Sequence, residues 1–326
     1  MKAELLKALR QTDDYVSGQQ LCSRFGVSRT AVWKAIRQLQ EAGYEIDAVN
    51  NRGYRLKSAP DLLTTEEVIS RLHTSFMGQN CICLDSVDST NNYVKKIAEN
   101  GAAEGTLVFA EEQTGGKGRR GRVWETPKGK NIAMSLLLRP QIHPAHASQL
   151  TLLMAMAVRE AICVCTGLEA GIKWPNDIVV NGRKVCGILT EMNTEVDYIN
   201  YVVIGTGINV NQREFPGELR EIAGSLCQNL GQETSRAAIT AASMDELERL
   251  YEIFLQTEDL SALKDGYNQA CVNRGHGIRV VERGGAYTGT TEGINDHGEL
   301  VVRKDSGEEV LVYAGEVSVR GLYGYT

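Results

Sequence analysis

Gln113-Thr-Gly-Gly-Lys-Gly-Arg-Arg-Gly-Arg-Val-Trp124 carries four glycines and four cations in twelve residues, a composition that no ordinary core element can hold. Glycine frees the backbone to wrap closely round a bound group, while Lys117, Arg119, Arg120 and Arg122 only repel one another until an anion arrives. The segment reads as a loop awaiting an anion. Phosphate is the natural candidate, because arginine forks and the backbone N–H groups of glycine-rich turns match phosphate oxygens. A solvated basic linker has the same composition. The neighbouring residues decide between the two: the apolar Asn131-Ile-Ala-Met-Ser-Leu-Leu-Leu138 reads as a buried strand that holds the loop against a sheet. The loop lacks the Gly-x4-Gly-Lys-Ser/Thr of the Walker type. Nor is it the dinucleotide-binding turn, since Gly116-x-Gly118-x-x-Gly121 follows no clear βα unit and contains three cations.

Two further segments converge on this loop. Lys173-Trp-Pro-Asn-Asp177 runs into Ile178-Val-Val180, the turn Asn181-Gly182, and then Arg183-Lys-Val-Cys-Gly-Ile-Leu-Thr-Glu191. Two strand-like runs joined by Asn-Gly predict a β-hairpin with Lys184 just past its turn. Tyr201-Val-Val-Ile204 leads into Gly205-Thr-Gly-Ile-Asn-Val-Asn211, a strand that breaks into a small-residue loop. The amides of Asn209 and Asn211 suit a nucleobase or ribose, and equally suit the capping of their own turn.

The first sixty residues have their own organisation. Leu5, Leu6 and Leu9 mark a short amphipathic helix, and Gln19–Phe25 a second one that Gly26 ends. Ser28 is placed to cap a helix from Arg29 to Glu41, with Val32, Ile36 and Leu39 on its inward stripe. Arg29, Trp33 and Arg37 fall on another face with Lys34 beside them; Ser28 and Thr30 open the same helix. Helix, glycine turn and a second helix with a basic face is the helix-turn-helix arrangement, whose second helix enters the DNA major groove. Tyr44–Val49, Asn50-Asn-Arg-Gly53 and Tyr54–Lys57 then read as a hairpin, or wing, that brings Arg52 and Arg55 to phosphates. A small helical packing domain with an ordinary charged face is the alternative. Ser58-Ala-Pro60-Asp is the expected linker, and Thr64-Thr-Glu-Glu67 opens a new unit.

Helices and strands mix from Thr64 to about Ala270, with helical stripes over Ala145–Thr166 and Met244–Phe254. A sheet with helices on one side, of α+β class, fits better than an alternating parallel fold. Beyond it, Gly277–Glu282, Ala286–Gly289, Gly293-Ile, Leu300–Arg303 and Glu309–Tyr313 are short strands split by Gly284-Gly, Asn295–Gly298 and Asp305–Gly307. This predicts a small β-barrel of the SH3 kind. The expected domains are therefore 1–62, 63–270 and 271–326.

Charge is segregated in the same way: residues 1–62 carry a surplus of three positive charges, and the remainder −9, within a total of −6. A chain with that balance is not a general nucleic-acid coat. The N-terminus lacks an export signal, and the longest apolar run, Leu150–Val158, is far short of the ~20 residues that span a bilayer, so a cytoplasmic protein with no membrane partner is expected. Eight cysteines form no Cys-x-x-Cys; Cys81-x-Cys83 and Cys163-x-Cys165 read as reduced, mostly buried thiols rather than metal ligands.

Asp88-Ser-Thr-Asn91, Gln113-Thr…Gly118-Arg-Arg-Gly-Arg-x-Trp124, Lys173-Trp-Pro-Asn-Asp177, Gly182-Arg-Lys184-x-x-Gly-Ile-Leu189 and Gly205-x-Gly-Ile-Asn-Val-Asn211 occur in this order. Together they resemble the biotin protein ligase family, and with the N-terminal module the chain resembles its bifunctional ligase and biotin operon repressor members over nearly its full length. The resemblance implies a winged helix-turn-helix, a biotin/lipoate ligase-like centre and an SH3-like C-terminal domain. It implies two steps: biotin and Mg-ATP give biotinyl-5′-adenylate, and a lysine of a biotin carboxyl carrier protein then attacks the anhydride. Lys184 and Arg119 would offset the repulsion between carboxylate and phosphate, and Asp177 would orient or deprotonate the incoming lysine, or simply brace its turn. Ser89, Thr90, Asn91, Gln113, Lys117, Gly118, Arg119 and Lys184 would hold biotin. Arg119, Arg120, Arg122, Trp124, Asn131, Lys173, Asn176 and Asn209 would hold ATP and the adenylate, unless Trp124 is a core aromatic. Mg2+ would ride on the polyphosphate with no fixed protein ligand. Operator DNA and, when liganded, a second copy of the chain are the further partners implied. Gly115 and Lys117 depart from the family's usual Ala and Arg, which bears on retention of the adenylate. A ligand-responsive regulator without catalysis and a ligase for another acid such as lipoate are the competing readings.

Overall fold

The chain, described by a computed structural model over residues 1–282, 285–314 and 318–321, opens with three helices and a hairpin. These are α1 (Lys2–Arg10), α2 (Gly18–Phe25), α3 (Arg29–Glu41), β1 (Glu45–Val49) and β2 (Gly53–Ser58). Ser17 and Gln20 form a capping box at α2, Gly26 ends it in the left-handed conformation (φ 63°), and Ser28 Oγ accepts from Ala31 N at 3.2 Å to start α3. Leu5, Leu6, Leu9, Leu21, Val32, Ile36 and Leu39 close one small core. That is the predicted winged helix-turn-helix, and α3 has the predicted bounds.

The central unit holds α4 (Thr65–Ile69), β3 (Cys81–Val87), α5 (Thr90–Glu99), β4 (Leu107–Gln113), β5 (Ile132–Leu138), α6 (Gln149–Thr166), β6 (Ala170–Lys173), β7 (Asp177–Val180), β8 (Arg183–Thr194) and β9 (Ile199–Ile208). The short α7 (Leu219–Ile222) and α8 (Leu226–Leu230), the long α9 (Arg236–Thr257) and α10 (Lys264–Ala270) complete it. Its seven strands form one mixed sheet in the order β3-β4-β5-β9-β8-β7-β6, parallel at β3/β4 and antiparallel elsewhere. Asn181 (φ 48°) and Gly182 (φ 73°) turn β7 into β8, as the Asn-Gly dipeptide predicts.

Alternation along each strand sorts the side chains to two faces. Phe109, Met134, Leu136, Ile204 and Ile208 pack under α6 and α9, whereas Val108, Leu137, Tyr201 and Val203 pack under α5. Helices therefore lie on both faces, not on one as the sequence suggests, and α5 covers only part of its face. Pro144–Thr166 is by length and composition apolar enough to cross a membrane, but Leu150, Leu153, Met154 and Val158 are buried, which is the position of a core helix. Of the eight thiols, all free, only Cys186, Cys227 and Cys271 are fully buried and Cys83 is exposed.

The last strands are β10 (Gly277–Glu282), β11 (Gly285–Ile294), β12 (Leu300–Lys304), β13 (Glu309–Val312) and β14 (Ser318–Gly321), antiparallel in the order β13-β12-β11-β10-β14. Ala286–Gly289 and Gly293-Ile, predicted as two strands, are one, because a bulge between Thr291 and Gly293 carries the pairing through. β14 was not predicted, and Gly284 of the predicted turn lies outside the described residues. No ladder joins β13 to β14 among the described residues, so the pairings define an open antiparallel sheet and not a closed barrel. Ile278, Val280, Leu300, Val302 and Val312 share the core of the central unit.

The N-terminal unit is joined to the centre through hydrogen bonds of Lys7 to Leu72 O and of Arg10 to Ser70 Oγ, and above all through one carboxylate. Glu67 of α4 is 1% exposed and accepts from Arg10 Nη2 of α1 (2.8 Å), Tyr44 Oη (2.7 Å) and Arg71 Nη2 (2.9 Å). Burial pushes its pKa up, but the hydrogen bonds from Arg10 and Tyr44 and the charges of Arg10 and Arg71 outweigh this and hold it below the ordinary value. A group with a lowered folded pKa contributes stability above its unfolded pKa and loses it as pH falls through the folded one. Glu67→Gln should lower the Tm by roughly 5 °C, for about 2–3 kcal/mol, at neutral pH, with the deficit shrinking as pH falls below about 4.5. Melting curves across pH check this; a deficit that persists unchanged in acid contradicts it.

Candidate active site

The part of the sheet face that α5 leaves open has a floor without side chains. Gly205 and Gly207 of β9 and Gly187 of β8 lie there, flanked by Leu189, Lys184 and Asn176. A register shift between Ile178 and Val179 against β8 leaves Val185 as an extra residue. That bulge brings Lys184 onto the same face as Gly187, three residues on, which regular alternation would forbid. The small-residue run predicted as a loop is therefore strand as far as Ile208.

The basic loop folds over this floor. Gly118 N donates to Arg122 O (2.7 Å) and Trp124 N to Gly116 O (3.0 Å), with a bridge between Lys117 and Val123. Gly116 is required, since a Cβ there would meet Trp124 O at 2.3 Å. The loop thus delivers the Trp124 indole into the slot: a Cβ on Gly207 would lie 2.3 Å from its Nε1. That Nε1 is buried without a hydrogen-bond partner among the described residues. Trp124 leaves a cavity of only about 50 Å³, room for a few waters.

Two cations stand at the rim. Lys184 Nζ is 2.6 Å from Asp177 Oδ1 and 5.5 Å from the centre of the Trp124 ring. Arg119 Nη1 donates to Asn176 Oδ1 at 2.8 Å, and its Nη2 to the carbonyl of Ala314 after β13, so the C-terminal sheet reaches the site. Burial, with Arg120 and Arg122 nearby, lowers the Arg119 pKa against the opposing charge of Asp177. Partial desolvation of that cation strengthens its pull on any anion that enters.

The opposite wall is polar and uncharged. Gln113 Oε1 accepts from Thr90 N (2.9 Å) and Thr90 Oγ1 (3.0 Å) at the start of α5, and Ser135 Oγ bridges Thr90 Oγ1 (2.7 Å) and Asn91 Oδ1 (2.6 Å). Ser89 caps α5 without spending its hydroxyl on the helix. Asn91 Nδ2 donates to Glu191 Oε2 at 2.7 Å, and Lys95 pairs with the other Glu191 oxygen. Burial raises the Glu191 pKa, yet the hydrogen bonds from Lys95 and Asn91 outweigh it and keep the carboxylate charged.

Of the residues expected at the site, Ser89, Thr90, Asn91, Gln113, Lys117, Gly118, Arg119, Trp124, Asn176 and Lys184 line one cleft. Arg120 and Arg122 are exposed outside it. Asn131, just before β5, and Asn209, just after β9, are buried: Asn131 Oδ1 accepts from Val210 N (3.1 Å) and Asn209 Nδ2 donates to Gly224 O (3.1 Å), which for Asn209 is the turn-bracing alternative. Asn211 likewise binds Asp61 and Thr234, and Lys173 is buried at the end of β6. Ser135 and Glu191 escape sequence reasoning because they lie in strands far from α5 in sequence. Gly205 and Gly207 were a usable signal, since glycines two apart in a strand clear one face. On α3, Ser28, Arg29, Thr30, Trp33, Lys34 and Arg37 share an exposed surface, with Arg37 stacked 5.2 Å over the half-exposed Trp33.

Profiles of three families match consecutive parts of the chain: an HTH domain over residues 2–55, the biotin/lipoate A/B protein ligase family over 83–209, and the biotin protein ligase C-terminal domain over 275–320. The bifunctional ligase/repressor BirA of Bacillus subtilis strain 168 is 39% identical over 98% of both chains. This chain belongs to the biotin protein ligase family. The Escherichia coli K12 bifunctional ligase/repressor is 29% identical over 97% of this chain and 96% of its own length. Among solved structures, the biotin protein ligase of Aquifex aeolicus in complex with biotin and ATP superposes with a TM-score of 0.66 at 28% identity, over 74% of this chain and 99% of that one.

For a biotin ligase the polar wall depends on Gly205. A Cβ there would fall 2.2 Å from Asn91 Oδ1 and drive the amide off Ser135. Gly205→Ala should weaken biotin binding by about tenfold or more in calorimetry. Unchanged affinity would show that Asn91 has no part in holding the ligand.

Proposed function

We propose that this chain joins biotin to a lysine of a biotin carboxyl carrier protein at the expense of ATP, and that with biotinyl-5′-adenylate bound it represses transcription as a DNA-binding homodimer. The observation that carries the enzymatic half is the pairing, across one glycine floor, of an uncharged hydrogen-bonding wall with two cations. Ser89, Thr90, Asn91 and Gln113 suit a neutral ureido ring, whose donors and acceptors a charged wall would solvate poorly. Lys117 and Gly118 close over it from the loop, with Lys117 Nζ held by Asn92 Oδ1 at 3.1 Å.

Adenylation brings two anions together. A carboxylate oxygen of biotin attacks the α-phosphorus, the bond to the bridging oxygen breaks, and pyrophosphate leaves. Lys184 and Arg119 are placed to offset the charge that builds on phosphorus. Mg2+ arrives with the nucleotide and neutralises its polyphosphate; the described residues offer no cluster of three or more His, Cys, Asp or Glu to hold a metal of their own. Trp124 must leave its slot for the ligand and can then cover it, and Asn176, which holds Arg119, keeps that cation aimed. In the second step the acceptor amine attacks the acyl carbon, an amide forms, and AMP leaves with the bond electrons. Asp177 aims Lys184 until phosphate replaces it, and is then free to take the proton of the incoming ammonium. Arg120 and Arg122 reach the nucleotide only if the loop refolds; Asn131, Lys173 and Asn209 are buried at the strand ends beside the floor.

For the regulatory half, Ser28, Arg29, Thr30, Trp33, Lys34 and Arg37 meet the major groove and Arg52 the flanking phosphates. The C-terminal strands suit an SH3-like barrel with β13 and β14 as its closing edges. A cytoplasmic location fits a consumer of ATP.

Labelled biotin should enter a carrier domain only with ATP and Mg2+, and lipoate should not replace it. Lys184→Ala should lower single-turnover adenylation roughly 10²–10³-fold while biotin affinity falls far less. Equal losses in both would reassign Lys184 to binding, and no incorporation with active acceptor would refute the ligase reading.

A further inference from the structure

Two cations of the N-terminal hairpin are held on one aromatic ring. The guanidinium of Arg52, in the turn, lies 4.3 Å from the centre of Tyr15, and that of Arg55, on β2, lies 5.0 Å from it. Tyr15 belongs to the segment between α1 and α2, and that segment is tied to the hairpin. Val16 N donates to Tyr54 O at 2.8 Å and Tyr54 N to Val16 O at 2.9 Å. Gly53 lets the strands approach, since a Cβ there would meet Val16 O at 2.1 Å. The ring is thus fixed by backbone bonds on one side while two like charges converge on it.

Two guanidinium groups side by side repel, and here carboxylates balance them. Arg52 Nη2 is 3.3 Å from Asp14 Oδ1; Asp47 Oδ2 is 3.6 Å from Arg55 Nη2, 3.1 Å from Lys57 Nζ and 3.3 Å from Tyr15 Oη. Arg52 and Asp14 are both mostly exposed, so their pair contributes little to folding. Guanidinium forks match backbone phosphates, and the exposed Asp14 carboxylate occupies the place on Arg52 that a phosphate oxygen would take.

We propose that Tyr15 is a positioning residue for DNA: its ring holds Arg52 and Arg55 as a fixed pair of phosphate contacts, and Asp14 occupies Arg52 until DNA displaces it. This rests on the reading of the N-terminal unit as a DNA-binding module. The preorganisation matters because a free arginine side chain loses rotamer entropy on each contact, and a stacked one has lost much of it already.

The test uses the full chain with biotin and ATP and a fluorescein-labelled DNA duplex of mixed sequence, since phosphate contacts are independent of sequence. Anisotropy titrations over a range of salt give affinity and its salt slope for the parent, Tyr15→Ala, Tyr15→Phe, Asp14→Asn, Arg52→Ala and the double variant Tyr15→Ala/Arg52→Ala. Tyr15→Ala should weaken binding about tenfold and flatten the slope by about one contact, near 0.9. Tyr15→Phe should restore both, because the ring and not the hydroxyl does the holding. Asp14→Asn should tighten binding, and the double variant should lose clearly less than the sum of the two single losses, because only the hold on Arg55 is left to lose. A Tyr15→Ala protein with the parent's slope, a Tyr15→Phe protein as weak as Tyr15→Ala, or fully additive losses in the double variant would each overturn the proposal. A parent chain with no salt-dependent binding would refute the DNA-binding reading itself.

Discussion

A strip of sheet without side chains sets the terms for the rest of the molecule. Gly187, Gly205 and Gly207 clear a slot on the face that α5 leaves uncovered, and close packing forbids such a slot from standing empty. Trp124 fills it in the chain alone. The cost of that solution is visible in the indole Nε1, buried without a hydrogen-bond partner among the described residues. A ligand that displaces the ring gains an apolar slot already shaped, and releases an unsatisfied donor. Beside the strip the uncharged wall is tightly cross-linked: Thr90, Gln113, Ser135 and Asn91 form one connected set, anchored at its far end on the Glu191 carboxylate, in which moving one member unpairs the next.

Charge is arranged on the same principle. Lys184 and Arg119 are kept at the slot by Asp177, Asn176 and the Ala314 carbonyl, so neither must be brought from solvent when phosphate arrives. Through the Ala314 carbonyl, just after β13, the C-terminal sheet bears on the slot, while Glu67 ties the N-terminal unit to the central one.

Much of this was legible in the residues. Ser28 and the stripe Val32, Ile36, Leu39 set α3 at its observed bounds, and Asn181-Gly182 set the β7/β8 turn, because capping and turn chemistry are local. The motifs from Ser89 to Lys184 that converge on the cleft were also readable in order. What escaped is non-local. The bulge at Val185 depends on how β8 pairs with two neighbours, and no short pattern encodes it. The continuity of β11 through Gly293 was hidden because glycine there reads as a break. The role of Glu67 was hidden too, because two of its partners, Arg10 and Tyr44, come from the N-terminal unit. Asn209 and Asn211, equally plausible as ligand groups or braces, brace the chain through Gly224 O and through Asp61 and Thr234.

If the slot governs the chemistry, Trp124 occupies it in the free chain and gives it up to the adenylate. Trp33 is half-exposed on the DNA-facing helix and Trp174 is buried with its Nε1 bonded to Gly298 O at 3.1 Å, so a Trp33→Phe background isolates Trp124 as the responsive fluorophore. Emission and acrylamide quenching, recorded while biotin and ATP are turned into bound adenylate, follow the ring directly. Displacement of the indole predicts a saturable change in both, with one equivalent of adenylate per chain. A spectrum and quenching constant that stay at their free values with the adenylate bound would contradict it.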